Sequence, residues 1–228
     1  DLSFCKKPKE PTGSPKKRKS LKGLKIALDP GHIGGKYSEM EGRHFVMGKD
    51  SPVKEGDLSL ETALKLKKIL ESLEAEVILV RSKPEPVTSK RPEDFAKEAQ
   101  EWIAGRGLEK LKKEEKEKLL KKRKEMLFYR VSEIHARARL VNEKIRPDLV
   151  VCLHLNASAW KDPEKKELSE RNDFHVLVNG CYMGGELALD DQRFEMMLRL
   201  LGGWHDLERR LAENVSVALA ESTKLPAF

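Results

Sequence analysis

Apolar positions along this chain change period several times, and each change marks an element. Leu24, Ile26 and Leu28 recur every second residue and run into Asp29-Pro30-Gly31-His32 and then Gly34-Gly35, which predicts a short buried strand ending in a sharp turn. Leu60, Ala63, Leu64, Leu66, Ile69, Leu70 and Leu73 follow at helical spacing, so an amphipathic helix is expected over 57–74. EVILVR, 76–81, reads as the next strand, and a strand, helix, strand order of this length implies a parallel, right-handed unit. Pro and Gly punctuate 82–107, with a short helix expected over 91–104. Beyond Leu127 a stripe of Leu127, Val131, Ile134, Ala138, Val141 and Ile145 steps by fours and threes. It predicts one long helix whose second half packs on the sheet. The first half, from Leu108, has only Leu108, Leu111, Leu119 and Leu120 to bury and should project or lie over the body as a charged arm. DLVVCLHLN, 148–156, reads as a further strand, and FHVLVN, 174–179, as another. Residues 186–201 and 204–222 read as two helices covering the sheet. The pattern as a whole predicts an α/β fold, a mostly parallel twisted sheet with helices on both faces and a long charged helical insertion.

At 228 residues the chain can bury one substantial core, and no apolar run approaches a membrane span. The formal charge of +7 suggests nucleic acid until it is divided by region. Residues 1–20 and 109–124 each carry a net +5, so the remainder of the chain is slightly acidic. The basic balance therefore describes a tail and an exposed helix, and no nucleic-acid partner is expected. Pro, Gly, Ser and Lys dominate the tail, which cannot bury enough surface to order itself, and 1–22 reads as a basic flexible linker ahead of one domain over 23–228. No charged segment followed by an apolar one marks a signal peptide. Because the chain begins at Asp1 rather than Met, an export signal or upstream domain can already have been removed.

The chemistry lies where strands end. His32 and His154 each sit at the C-terminal end of a predicted strand, the edge where open α/β sheets bind ligands. Glu55 stands just ahead of the first helix. Two imidazoles and a carboxylate from separate segments are the donor set of a catalytic zinc site that keeps one position open for water. Each residue also has a plainer reading: a hydrogen-bonded loop histidine, or an acid favoured at a helix N-terminus by the dipole. Cys5, Cys152 and Cys181 are too few for a disulfide framework. Cys152, two residues before His154 on the same strand face, reads as a small buried core residue or, alternatively, as an extra soft ligand. The segment 36–54, with His44, reads as a polar surface loop, and His135 as a surface residue.

DPGHIGG, KEGDLSLETALKLKKILE and RARLVNEKIRPDLVVCLHLNAS together resemble the three ordered signatures of the type 3 zinc-dependent N-acetylmuramoyl-L-alanine amidases, which cleave bacterial peptidoglycan. The resemblance implies that Zn²⁺ is held by His32, Glu55 and His154. It implies supporting roles for Arg81, which ends the matching strand, and for Asn156 beyond His154, with Arg137 and Asn142 as bracing. Trp160, past the third signature, is placed to stack on a sugar ring or to fill the rim. The implied reaction is hydrolysis of the amide between the N-acetylmuramic acid lactyl group and L-alanine, in the cell envelope, periplasmic or secreted. Chemistry alone also allows a zinc exopeptidase, or a catalytically incomplete module that binds peptidoglycan or a partner. The sequence departs from the signatures at Ile33 in place of Gly, at Cys152 in place of Ser, at Leu155 in place of Ala, and by the long insertion 83–130. Some relatives cover their site with such a helix until a partner removes it, so part of 83–130 reads as a cap or docking arm for a regulatory partner or, alternatively, as a simple solvated helix. The family's general-base Glu lies on a later strand that no segment here matches; it is expected beyond Phe228, with Glu186 and Glu195 as substitutes in poorer context.

Overall fold

In the computed structural model, residues 20–156, 162, 167, 170–178 and 184–227 are described. They fall into two compact units, one ending at Ala159 and one beginning at Trp160. Trp160, Cys5 and Cys181 lie outside the described residues.

The first unit is α/β. Strands β1 (Lys25–Pro30), β4 (Glu76–Leu79) and β5 (Leu149–Leu153) form a parallel sheet in the order β4-β1-β5. Leu28 lies opposite Leu79 on one side and Val151 on the other. A two-residue hairpin, β2 (His44–Phe45) against β3 (Val53–Lys54), precedes helix α1 (Glu55–Ser72). Strand alternation sends Ile26 and Leu28 to one face, where they meet Ala63, Leu66 and Leu70 of α1 together with Val77. Ala27 points the other way, into a cluster with Val80, Leu140, Val141 and Ile145. Helices thus cover both faces, as the apolar pattern predicts.

The insertion folds back on the body. Helix α2 (Ala96–Ala104) packs against α3 (Lys113–Met126), with Ala99 and Ile103 buried. The Trp102 ring lies near two guanidiniums, with Arg106 4.8 Å and Arg123 5.2 Å from its centroid. The long helix is continuous from 113 to 145 but includes two π-helical stretches, Leu127–Ser132 and Leu140–Ile145, around α4 (Glu133–Arg139). These overturn the middle of the expected stripe, while its end, Val141 and Ile145, packs on the sheet as expected. Ile134 is 55% exposed, and Val131 and Ala138 are also exposed. The buried line is Phe128, Glu133, Arg137 and Ile145. The first step along it is five residues, the period of a π turn, and period counting on an ideal helix cannot anticipate that shift of phase.

Phe128 explains one departure from the family signature. It is fully buried against Ile33 and stacks toward Tyr37, ring centroids 5.8 Å apart. A glycine at position 33 would remove one wall of that ring's surroundings, so the apolar side chain in the first signature and the end of the insertion fill one core together.

In the second unit the two helices read over 186–201 and 204–222 form as α5 (Asp190–Gly202) and α6 (Trp204–Thr223). The strand expected at 174–179 does not: among the described residues only a single parallel bridge, Phe174 to Ala227, forms there. Leu177, 89% exposed, has no apolar surface to alternate against. No helix among the described residues is long and apolar enough to cross a membrane.

Candidate metal centre

Three chain segments meet beyond the C-terminal ends of β1 and β5. After Pro30 the chain turns at Gly31, whose N–H donates to Leu153 O at 2.8 Å, tying the first histidine loop to the last residue of β5. A Cβ at position 31 would stand 2.5 Å from His154 Cε1 and 2.6 Å from its Nδ1, so only glycine lets the two loops approach. Gly34 and Gly56 meet in the same way, a Cβ on Gly56 falling 2.3 Å from Gly34 N. The N-terminus of α1 is thereby pressed against the first loop. Asp57 accepts the Gly35 N–H at 2.7 Å, and Ser59 donates to Gly31 O at 2.7 Å. His32 itself has φ 57°, a left-handed conformation that a non-glycine residue holds at a cost and that surrounding contacts must enforce.

These contacts bring all three expected ligands together. Glu55 is the first residue of α1, and its carboxylate lies 3.3 Å from His32 Nε2 and 3.2 Å from His154 Nδ1. The two rings stand edge to face with centroids 5.2 Å apart, and one ligand atom from each of the three residues lies within 4.8 Å of the others. Donors held about 2.0–2.1 Å from a tetrahedral zinc are about 3.3 Å from one another, which is the spacing of the Glu55 carboxylate to each imidazole. The far side of the His32 ring supports the same reading: Nδ1 lies 3.4 Å from the buried Glu41 carboxylate, leaving Nε2 for the centre. A carboxylate behind a ligating imidazole fixes its tautomer and orientation.

Glu41 is the residue that sequence reasoning missed. It sits in what reads as a polar surface loop, yet it is buried, and both its oxygens accept the Ile33 N–H, at 3.2 and 3.0 Å. Nothing in the spacing of a single sequence marks it. Arg81 is 2% exposed and donates to Gly56 O at 2.7 Å and Lys83 O at 2.8 Å, with a longer bond to Gly31 O at 3.4 Å, so it buttresses both ligand-bearing loops from beneath. Asn156 lies two residues past His154 and is exposed, as is Asn142. His44 is half-buried in β2, and its Nδ1 has no partner among the described residues. Cys152 is exposed rather than buried in the core, because β5 pairs only with β1 among the described residues and its second face, with Val150 at 40%, is uncovered. It is not in the ligand cluster.

The family model for N-acetylmuramoyl-L-alanine amidase matches residues 26–167, well over half the chain and a span that contains every residue of the cluster. The chain belongs to this amidase family. No curated protein and no solved structure matches it.

The charges of His32, Glu41, Glu55 and His154 are strongly coupled. Burial disfavours the His32 imidazolium, but the Glu41 and Glu55 carboxylates outweigh it and raise the pKa from 6.5 to about 9. Burial likewise pushes the Glu55 carboxyl up, but hydrogen bonds from His154 and His32, with the Leu155 N–H at 3.0 Å, hold it far below the usual carboxylate range. An imidazole that titrates near 9 when folded and 6.5 when unfolded stabilises the fold below 6.5 and ceases to as pH rises through 9. The chain kept metal-free with chelator is therefore expected to lose on the order of 3 kcal/mol of stability as pH rises from about 6.5 to about 9.5. Urea unfolding across that range checks this, and a flat profile contradicts it.

A second expectation follows from the turn. Gly31→Ala should displace the His154 ring and weaken zinc binding by roughly tenfold or more, the size of effect produced by disturbing a ligand's supports. Competition with a chromophoric chelator measures it.

Proposed function

We propose that this chain is a zinc-dependent hydrolase of peptidoglycan that cleaves the amide between the N-acetylmuramic acid lactyl group and L-alanine. The observation that carries the reading is the convergence of His32, Glu55 and His154, the Glu55 carboxylate 3.3 Å from His32 Nε2 and 3.2 Å from His154 Nδ1 and one ligand atom of each residue within 4.8 Å of the others, inside a span that matches the amidase family. Bound zinc supplies a Lewis acid that polarises the scissile carbonyl and acidifies water. The chain's own residues set the stage for that chemistry. Glu41 orients His32, Glu55 offsets the charge of the cation, and Arg81 and Ser59 hold the Gly31 and Gly56 carbonyls so that both loops keep their spacing. Action on the wall places the protein in the cell envelope, periplasmic or secreted. No feature among the described residues carries the regulatory partner expected at 83–130; that segment instead closes the core through Phe128.

Incubation with purified peptidoglycan, with and without chelator, tests the proposal. Release of stem peptides that begin with L-alanine, abolished by chelator and restored by zinc, is the expected result. Wall that is bound but left intact identifies a binding module of the same fold, and cleavage indifferent to chelator removes the metal from the reaction.

A further inference from the structure

A groove of about 740 Å³ runs between the segment 87–90 and the face of the long helix turned away from the metal centre. The direction follows from helix geometry. Arg137 reaches back to His32 O at 2.7 Å, whereas His135 and Arg139, two residues before and after it, project from the opposite side and line the groove. The groove is therefore separate from the ligand trio.

Its lining is chemically biased. Lys90, Arg139 and Lys144 contribute three exposed cations, with His135 beside them, and Glu143 is the one acid among the described lining residues. None of these cations is engaged in a side-chain ion pair or hydrogen bond among the described residues. Arg137 on the same helix is, by contrast, paired with Glu133 and Asp29. Unpaired cations of one sign in a concavity concentrate anions, in a chain whose remainder outside the tail and 109–124 is slightly acidic. The hydroxyl of Ser89 and the apolar surfaces of Phe95 and Leu140 complete the walls.

The floor is already ordered. Thr88 is buried, its N–H donates to Glu133 Oε2 at 2.9 Å, and its hydroxyl lies 2.7 Å from that of Ser132. A preformed floor spares a ligand the cost of ordering it. Both π-helical stretches supply lining residues, Ser132 from the first and Leu140, Glu143 and Lys144 from the second, and interruptions of this kind gather at functional sites.

We propose that this groove binds a phosphate ester of a sugar or polyol, the phosphate held by Lys90, Arg139 and Lys144 and the carbon skeleton lying against Phe95 and Leu140. A guanidinium fork with flanking ammonium groups suits phosphate oxygens, and the volume falls within the range of small-ligand sites. The ester comes either from a free small molecule or from a repeat in a phosphate-bearing polymer.

Isothermal titration of the full chain with glycerol 1-phosphate, a glycerol-phosphate oligomer and inorganic phosphate tests the site, with glycerol as the neutral control. Saturable binding of the ester, at least tenfold tighter than inorganic phosphate and weakened at least tenfold in an Arg139→Gln, Lys144→Gln double variant, is expected. Both side chains are exposed, so the variant should keep its fold, which circular dichroism verifies. Tighter binding of the oligomer than of the monomer identifies a polymer as the source; equal binding identifies the free ester. The His154→Ala variant should bind the ester as the parent does. This separates the groove from the amidase reading, which predicts loss of hydrolysis in that variant. Absence of saturable binding up to about 10 mM, undiminished binding by the double variant, or loss of binding in His154→Ala overturns the proposal.

Discussion

Replacing Glu55 with alanine is expected to lower zinc affinity by more than about a hundredfold and to reduce stem-peptide release to background. Outer partners of metal ligands alone are worth about ten- to a hundredfold, and Glu55 is itself a donor, the only anionic one in the trio. Its carboxylate lies within 3.3 Å of both imidazoles and is kept ionised by them in spite of its burial. Without it, two neutral rings face a dication with no charge to offset it. Glu55→Gln separates geometry from charge: the amide keeps the size and the oxygen that accepts the Leu155 N–H, but not the anion. Alanine and glutamine variants that both lose zinc on dialysis would assign the effect to charge, whereas retention by glutamine alone would assign it to shape. Metal content measured beside unfolding in chelator distinguishes either from a collapsed loop, since a variant as stable as the parent without metal has lost only the centre. Full zinc retention by Glu55→Ala would end the three-ligand assignment.

Much of this site is legible in the sequence because it is built from features with short-range signatures. His32 and His154 follow alternating apolar runs that end in turns, and Glu55 opens a strongly periodic helix, so each can be placed at an element end before any contact is known. The parallel sheet with helices on both faces follows from the same periodicities. What is hidden depends on long-range packing. Glu41 looks like any loop acid until the chain folds it beneath the His32 ring. Cys152 belongs to an apolar run, yet its face of β5 is uncovered among the described residues. The long helix misleads most, since the middle of its apolar stripe, Val131 to Ala138, is turned outward where the π stretch places Glu133 and Arg137 inside, although the stripe's end at Val141 and Ile145 does pack on the sheet. The i,i+4 spacing of those two residues was the available signal, though the same spacing also marks ordinary solvated pairs such as Lys65 with Glu61.

Arg137→Ala is expected to cost about 3–5 kcal/mol of folding stability, the range for removing one partner from a buried ion pair. The guanidinium is 9% exposed and makes four contacts that no smaller side chain can reproduce: Glu133 at 2.7 Å, Asp29 at 2.8 Å, Pro30 O at 2.7 Å and His32 O at 2.7 Å. Truncation leaves the buried Glu133 and half-buried Asp29 carboxylates without their cation, and lysine, with a single ammonium in place of the planar fork, should recover only part of the loss. The pH dependence gives the cause away. Burial already raises the Asp29 pKa above its ordinary value, against the opposing pull of Arg137, so removing Arg137 must raise it further. An acid whose folded pKa exceeds its unfolded one binds more protons when folded, and stability then falls as pH rises through that interval. The alanine variant should therefore regain part of its deficit on acidification from pH 7 toward pH 5, whereas a simple packing defect would give a pH-independent gap. Urea unfolding of parent and variant at both values, in chelator, measures it. A loss under about 1 kcal/mol would show that the network is dispensable. A loss of the expected size with weakened zinc binding would show that the left-handed turn at His32 is held from behind by the long helix, through the bond from Arg137 to the His32 carbonyl.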